Sequence, residues 1–500
     1  EDVNLLDHEA LQQGLTEEQL AEYHRLQYVM DSALPRWDPA VHGAWDAPFN
    51  HYTSGMDFDP PLDGDGDSDD HFNAIHMGLI PKGFHQGRVI AWDAQFAATA
   101  PGIGDYWSQR WTILDVTQPL ASRFLNNTLK LPHDDGDLFC VGQTCTAEGN
   151  FFLSGGTLEY TSEDGIWKGG VLSLLFVPPV TRDLSNAWQT LPDLVQGRWY
   201  PTVTLWGRDQ ILVAGGFEDS VDGATDLALN SYELYEIARG GLDASYIGKF
   251  PGPPVDDTDD INDLRKRLGL YPRLTVMADG RIFRSGYSKT SALLSPDLPG
   301  SQNPFWTYTN SDNDRRRVGG ASVLLPNLPG FGGREVIMAV GGRDVTEGGD
   351  GGNNFVSETA PYSFAGLGSS EWSINLAPMH HKRWRGNAVI LPDATIFLVG
   401  GDRHAYQLEH VDEDPITTAE LFTIDSVDPN ETVDAIEGHW QALPGPVGAR
   451  TYHSTALLLP SGKILLGGGD TRDWDYQIYN PPYLLDGTER PVISASPTIM

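Results

Sequence analysis

Adjacent glycines closing short apolar runs, met repeatedly along the chain, limit its fold more than any other feature. Gly155-Gly156, Gly215-Gly216, Gly341-Gly342, Gly400-Gly401 and Gly467-Gly468 each end such a run. Ahead of each pair lies a second apolar run and a turn. Arg198-Trp199-Tyr200 opens the stretch Pro201 to Leu205, Gly207-Arg208-Asp209 turns it, and Ile211-Leu212-Val213-Ala214 returns to the glycines. Arg450-Thr451-Tyr452-His453 runs through Leu457-Leu458-Leu459, the turn Pro460-Ser461-Gly462 and Ile464 to its own pair. Arg383-Trp384-Arg385 and Arg317-Val318-Gly319 lead the same way to Gly400-Gly401 and Gly341-Gly342. Cys140 leads through Ala147-Glu148-Gly149-Asn150 to Gly155-Gly156, and Tyr271-Pro272-Arg273 leads through Ala278-Asp279-Gly280 to Ser285-Gly286. His76 to Ile80 leads through Gly83 to Val89-Ile90-Ala91-Trp92.

Each unit reads as a β-hairpin, because β-branched and leucine-rich runs flank a glycine-containing turn. The apolar runs do not alternate strictly, which suits strands buried on both faces. Seven such hairpins, recurring every 40 to 70 residues or about that, predict an all-β fold: a seven-bladed kelch-like β-propeller over residues 36–478. A solenoid is the architectural alternative, and the regular glycine punctuation without helical periodicity speaks against it. The ends differ. Residues 1–35 carry a helical pattern (Leu11, Leu15, Leu20, Tyr23, Leu26) after a capping-box-like Thr16-Glu17-Glu18-Gln19, and read as an N-terminal helical appendage. Residues 479–500 leave the last blade at Tyr479-Asn480-Pro481-Pro482-Tyr483-Leu484, and Arg490-Pro491-Val492-Ile493 reads as the start of a C-terminal β-sandwich-type domain, incomplete at Met500.

Composition bounds the partners. With 33 basic against 69 acidic residues the formal charge is −36, a surface that repels phosphate backbones and anionic lipids and excludes nucleic acid as a partner. No stretch approaches the roughly 18 apolar residues of a membrane span. The chain starts at Glu1 rather than Met, which fits removal of a leader and a secreted or extracellular protein. Two cysteines, Cys140 and Cys145, cannot make a disulfide framework. They read as buried thiols, one small disulfide loop, or a thiol with a specific use.

In a propeller, equivalent positions of the inner strands surround one axis at one level. Counting back sixteen residues from the second glycine of a pair reaches Cys140 from Gly156, Tyr200 from Gly216 and Tyr452 from Gly468, with His453 next. The repeat therefore predicts that Cys140, Tyr200, Tyr452 and His453 converge at one mouth of the central channel. Imidazole and phenolate together suit Cu(II). The bland alternative is that Tyr200 and Tyr452 are core aromatics, as Tyr271 is in another blade.

At these residues the chain resembles the galactose oxidase and glyoxal oxidase family of copper radical oxidases. The resemblance is carried by Arg450-Thr451-Tyr452-His453-Ser454 with Leu457-Leu458-Leu459-Pro460, by Asp137-Leu138-Phe139-Cys140, by Arg198-Trp199-Tyr200 and by Asn480-Pro481-Pro482-Tyr483-Leu484, over roughly residues 70–500. It implies that Cys140 joins Tyr200 through a thioether, forming a radical cofactor, and that Tyr200, Tyr452 and His453 bind copper. Tyr452 is then the axial base that takes the alcohol proton. The implied activity is oxidation of small aldehydes or primary alcohols by O2 with release of H2O2. The family's second histidine ligand belongs to a C-terminal β-domain, so the enzyme reading requires a histidine beyond Met500. The aromatic that shields the radical falls, by family position, at Glu218, leaving Phe217, Trp306 or Trp372 as substitutes. A Cys140–Cys145 disulfide would prevent the thioether.

Outside this set, Asp63, Asp65, Asp67 and Asp69 alternate along a glycine-rich loop that reads either as a calcium-binding loop or as a solvated acidic loop. His380, His381, His404 and His410 read as surface residues. The rival function is a non-catalytic kelch-type propeller that binds a glycan or a protein partner.

Overall fold

The computed structural model describes residues 37–50, 72, 74–92, 111–125, 137–161, 166–218, 229–238, 241–253, 268–285, 290–295, 305–312, 317–326, 335–344, 354–355, 359–365, 369–372, 378–402, 415–427, 436–469 and 475–488. The expected N-terminal appendage, the acidic loop and residues from 489 onward lie outside them. Among the described residues the fold is all-β, with helix confined to Pro39–His42 and two single 3-10 turns.

Six antiparallel sheets of four or more strands form blades of a β-propeller. Their first strands are Asp137–Cys145, Thr202–Trp206, Leu274–Val276, Ala321–Leu324, Asn387–Ile390 and Ser454–Leu458. These first strands neighbour one another from sheet to sheet, so they line the axis. Each returns on the apolar run that sequence had marked: Thr202 to Trp206 pairs with Gln210 to Ala214, and Ser454 to Leu458 pairs with Ile464 to Gly468. A further three-stranded sheet, His76–Leu79, Val89–Trp92 and Trp111–Leu114, lies beside the Ser454–Leu458 strand.

The last blade is closed from the other end of the chain. Its outer strand, Ala44–Trp45, pairs with Gln477–Asn480, Ala44 opposite Asn480 and Trp45 opposite Tyr479. Trp45 then packs at a tilt against Tyr479 of its own blade and Phe397 of the neighbouring one. Tying one end of the chain to the other in this way removes the free edges that an open sheet would expose.

Apolar side chains fill the gaps between successive sheets. Phe152 and Leu175 of one blade meet Ile211, Val213 and Tyr235 of the next, and Trp206 and Leu212 meet Ile282 and Leu294 beyond. Strands with both faces against neighbours explain the unbroken apolar runs: Ile211, Leu212, Val213 and Ala214 are all fully buried.

The glycine pairs and the arginines that open the units act together. Arg198, Arg317, Arg383 and Arg450 are buried, and each donates through Nη1 to the carbonyl of its own blade's first pair glycine: Gly215, Gly341, Gly400 and Gly468. The carbonyl of the same arginine accepts the second glycine's N–H from the preceding blade: Gly156 to Arg198 (3.0 Å), Gly342 to Arg383 (2.8 Å) and Gly401 to Arg450 (2.6 Å). Charge is balanced inside the blade, where Glu233 pairs with Arg198 at 3.0 Å and Glu420 with Arg383 at 2.8 Å. In the last blade the left-handed glycines are Gly468 and Gly469 rather than Gly467 and Gly468. That moves its register by one residue from the spacing expected above.

Glycine is required where blades touch. At Gly400 (φ 71°) an added Cβ would lie 2.4 Å from the Arg450 carbonyl oxygen, whereas at the turn residue Gly207 (φ 69°) it would meet nothing within 4 Å. Gly400→Ala is expected to cost roughly 2 to 5 kcal/mol, left-handed strain plus overpacking, against about 1 to 2 kcal/mol of strain alone for Gly207→Ala. Urea unfolding midpoints of the two variants check this; equal losses would show that the cross-blade contact does not govern stability.

Candidate active site

The backbone prepares the site before any side chain does. Cys140 (φ 63°), Tyr200 (59°), Tyr271 (41°), Arg385 (59°) and His453 (60°) all adopt the left-handed conformation, and Gly319 (65°) takes it in the blade opened by Arg317. For a residue with a side chain this costs on the order of 1 to 2 kcal/mol, which persists only where surrounding structure imposes it. Here hydrogen bonds between blades do so. Tyr200 N–H donates to the Cys140 carbonyl (3.1 Å), Tyr271 N–H to the Tyr200 carbonyl (2.8 Å) and Arg385 N–H to the Gly319 carbonyl (2.9 Å). The residue equivalent to Cys140 and Tyr200 in the last blade is therefore His453, sixteen residues before Gly469, and Tyr452 stands one place ahead of it. The expectation that Tyr452 holds the equivalent position is corrected by that one-residue shift.

The four residues nonetheless converge. The Tyr200 hydroxyl is in hydrogen-bond contact with the Tyr452 hydroxyl and lies 3.2 Å from His453 Nε2. Cys140 and Tyr200 are buried in one cluster with Ile75, Phe139 and Trp199, against which Tyr271 and Tyr452 pack. The Tyr452 and His453 rings stack at 3.6 Å, and Phe139 lies 4.8 Å from the His453 ring.

Electrostatics favour neutral groups here until a cation arrives. Burial, followed by the neighbouring Cys140, Tyr452 and Tyr271, pushes the Tyr200 phenol well above the usual tyrosine range. Tyr271 is raised for the same first reason, burial, and then by Cys140 and Tyr452. A divalent ion reverses this preference, since it stabilises the phenolate directly. Among the described residues no three His, Cys, Asp or Glu side chains gather as a metal site. The donors are instead two phenol oxygens and an imidazole nitrogen, a set that fits Cu(II).

The aromatic cover over Tyr200 is Trp199, its neighbour in sequence. Their ring centroids lie 4.0 Å apart. The Trp199 indole N–H donates to Thr157 Oγ1 (3.1 Å), which donates to the Phe139 carbonyl (2.9 Å), so the indole is fixed relative to the Cys140 strand. Tyr271 also packs on Tyr200, with ring centroids 4.8 Å apart, and donates to the Val141 carbonyl (3.2 Å). The expected substitutes are elsewhere: Trp306 packs on Tyr232 and Trp372 on Phe283, while exposed Glu218 accepts a hydrogen bond from Gln196. Phe217 packs against this same cluster, behind Trp199. Cys140, buried, and Cys145, exposed, lie at different levels of one strand and form no disulfide with each other.

Asp63, Asp65, Asp67 and Asp69, with His404 and His410, lie outside the described residues. His380 is exposed, with Nε2 3.1 Å from the Trp440 carbonyl. Three residues with no role assigned from sequence do border the site. Trp199 was in view only as part of a motif. Arg385 lays its guanidinium 3.4 Å from the Tyr452 ring centroid. His76 starts the inner strand of the three-stranded sheet, and burial, with His453 second, pushes its imidazole down to about 3.

The site is thus a β-propeller centre where two phenols, an imidazole and a buried thiol meet, a donor set suited to a redox metal. Comparison with known proteins narrows this. The family described as glyoxal oxidase N-terminus matches residues 125–486, and the chain belongs to that family. It is 28% identical over 366 residues to a galactose oxidase of Gibberella zeae (63% of this chain, 51% of that one). It is 24% identical over 389 residues to an aldehyde oxidase, GLOX, of Vitis pseudoreticulata (73% and 64%), and 27% identical over 327 residues to a WSC domain-containing protein of Arthroderma benhamiae (62% and 31%). The chain thus spans from about a third to just under two thirds of these relatives' lengths. In structure it is similar to a fungal alcohol oxidase in complex with copper (TM-score 0.61, 19% identity, 91% of this chain and 80% of that one), a likeness of fold.

His76 supplies a test of the site's electrostatics in the copper-free protein. Its folded value, about 3, lies below the ordinary histidine value near 6.5, so the unfolded chain takes up the proton first. Stability present above about 6.5 is then lost as pH falls through that window toward about 3. The drop in unfolding free energy between neutral pH and about pH 4 should be smaller in His76→Leu than in wild type; equal drops would remove His76 from the account.

Proposed function

We propose that this chain is the propeller part of a secreted copper radical oxidase that oxidises small aldehydes or primary alcohols with O2 and releases H2O2. The observation that carries the reading is the contact of the Tyr200 hydroxyl with the Tyr452 hydroxyl and His453 Nε2, with the Cys140 thiol packed in the same buried cluster. Tyr200, Tyr452 and His453 would hold the copper, whose one-electron couple, paired with that of a tyrosine, supplies the two-electron acceptor an alcohol or hydrated aldehyde needs. A second imidazole would come from a C-terminal β-domain. The three-stranded sheet opened by His76–Leu79 would be the seventh blade: the Ala74 carbonyl approaches Gly468 from it as the Arg450 carbonyl approaches Gly400.

The chain's own residues divide the remaining work. Tyr452, at the edge of the site, would accept the proton of the substrate hydroxyl on its oxygen as the phenolate, becoming the neutral phenol, the kind of transfer that contributes about 10²- to 10⁴-fold. Cys140 bonds to the Tyr200 ring through sulfur: the thiol and ring hydrogens leave as protons and two electrons pass to O2. The sulfur donates density to the ring and makes it easier to oxidise. Trp199 and Tyr271, both packed against Tyr200, exclude water from the ring that would hold the unpaired electron.

Peptide mass spectrometry after copper loading in air tests the cross-link. A Cys140–Tyr200 peptide lighter by two hydrogens is expected, absent in Cys140→Ser; an intact Cys140 thiol beside an unmodified Tyr200 would sink the radical-oxidase reading. In the loaded protein Tyr452→Phe should lower turnover of methylglyoxal or benzyl alcohol by about 10²-fold or more, and an unchanged rate would remove Tyr452 as the base.

A further inference from the structure

Arg385 has no part in the metal set, yet it occupies the same left-handed position as Cys140, Tyr200 and His453 and so faces the same mouth. Its guanidinium is held between two rings, 3.5 Å from the Trp384 centroid and 3.4 Å from the Tyr452 centroid. Stacking uses the two faces of the planar cation and leaves its edge, where the N–H donors lie, unengaged. Among the described residues that edge makes no hydrogen bond or ion pair. The contrast with the clasp arginines two positions ahead of this register is sharp: Arg198 and Arg383 are buried and matched by Glu233 and Glu420, whereas Arg385 is half-buried and has no carboxylate partner among the described residues. In a chain with 69 acidic and 33 basic residues, an unmatched and immobilised guanidinium at the centre is a local site of positive potential.

We propose that Arg385 is an anion-recognition residue of the site: its edge binds the carboxylate of a small aldehyde or alcohol acid and aims the neighbouring carbon at the Tyr200–Tyr452–His453 cluster. The oxidation of such a substrate rests on the oxidase reading; its binding does not. The geometry suits the task. The guanidinium stands over the ring of Tyr452, whose hydroxyl meets that of Tyr200, so a carboxylate on its edge is one ring's length from the converging oxygens. Only a molecule of a few atoms bridges that gap. Gly319 makes room for the arrangement, because a Cβ there would lie 2.3 Å from Trp384 Nε1 and 3.4 Å from Arg385 Cγ. Two fixed ring contacts also settle the side chain in advance, which lowers the rotamer entropy lost when the anion binds. Planar, two-pronged recognition of a carboxylate is what an arginine edge does and a neutral side chain does not.

The test uses the copper-free protein, so its result is independent of the oxidase reading. Calorimetric titration with glycolate is expected to show saturable one-site binding to wild type, and ethylene glycol, the neutral counterpart of similar size, no comparable binding. Arg385→Leu and Arg385→Gln should each weaken glycolate binding by about 10-fold or more, the scale of a charge-assisted hydrogen-bonded pair, with part of the affinity restored in Arg385→Lys. Arg385→Gln keeps a planar polar group against Trp384, and unchanged near-ultraviolet circular dichroism shows that the site stays folded. Glycolate binding equally well to wild type, Arg385→Leu and Arg385→Gln, or failing to bind wild type, would overturn the proposal.

Discussion

The clasp between a buried arginine and two left-handed glycines holds this propeller together. Each arginine side chain secures its own blade's first glycine, and at Arg198, Arg383 and Arg450 the backbone carbonyl receives the second glycine of the blade before. The clasp works only if the carbonyl can come within van der Waals reach of the glycine Cα, which any Cβ would prevent. Burying arginine carries a large desolvation cost, and the glutamates on the third strands offset it at Arg198 and Arg383. Blade-to-blade spacing, and with it the width of the channel, follows from this repeated contact.

The site is a consequence of the same geometry. Where the clasp brings an inner strand to the axis, a residue two places on, or three in the last blade, adopts positive φ at the channel mouth, and Cys140 takes the same conformation in a blade without the arginine. In one blade that residue is glycine; in others it is a cysteine, a tyrosine, an arginine or a histidine. The strain of these conformations is met by cross-blade hydrogen bonds from one such residue to the next. Chemistry is thus built on positions that the fold already holds rigidly, which keeps two phenols and an imidazole in contact without flexible loops.

Much of this was legible in the chain. Glycine pairs and apolar runs identified the hairpins, and a constant spacing brought Cys140, Tyr200 and the Tyr452-His453 pair to one level. The spacing failed by one residue in the last blade because Gly467-Gly468-Gly469 offers two readings, and only backbone dihedrals distinguish them. Trp199 as the cover of Tyr200 was overlooked because family position pointed past Gly216. Adjacent residues on an extended strand point to opposite sides, but a left-handed residue breaks that alternation and lets Trp199 fold back over its neighbour.

Sequence by itself determined the repeating unit, the all-β class and which four side chains converge, since these depend on local pattern: turn chemistry, strand runs and spacing along one chain. Tertiary structure alone decided which side chains share the space between blades. The stacking of Arg385 on Tyr452, the approach of His76 to His453 and the closing of the last blade by Ala44–Trp45 join residues tens to hundreds of positions apart. No spacing rule within one repeat predicts them, because each arises from the angle between neighbouring blades, and that angle is set by contacts the repeats make only when the ring is closed.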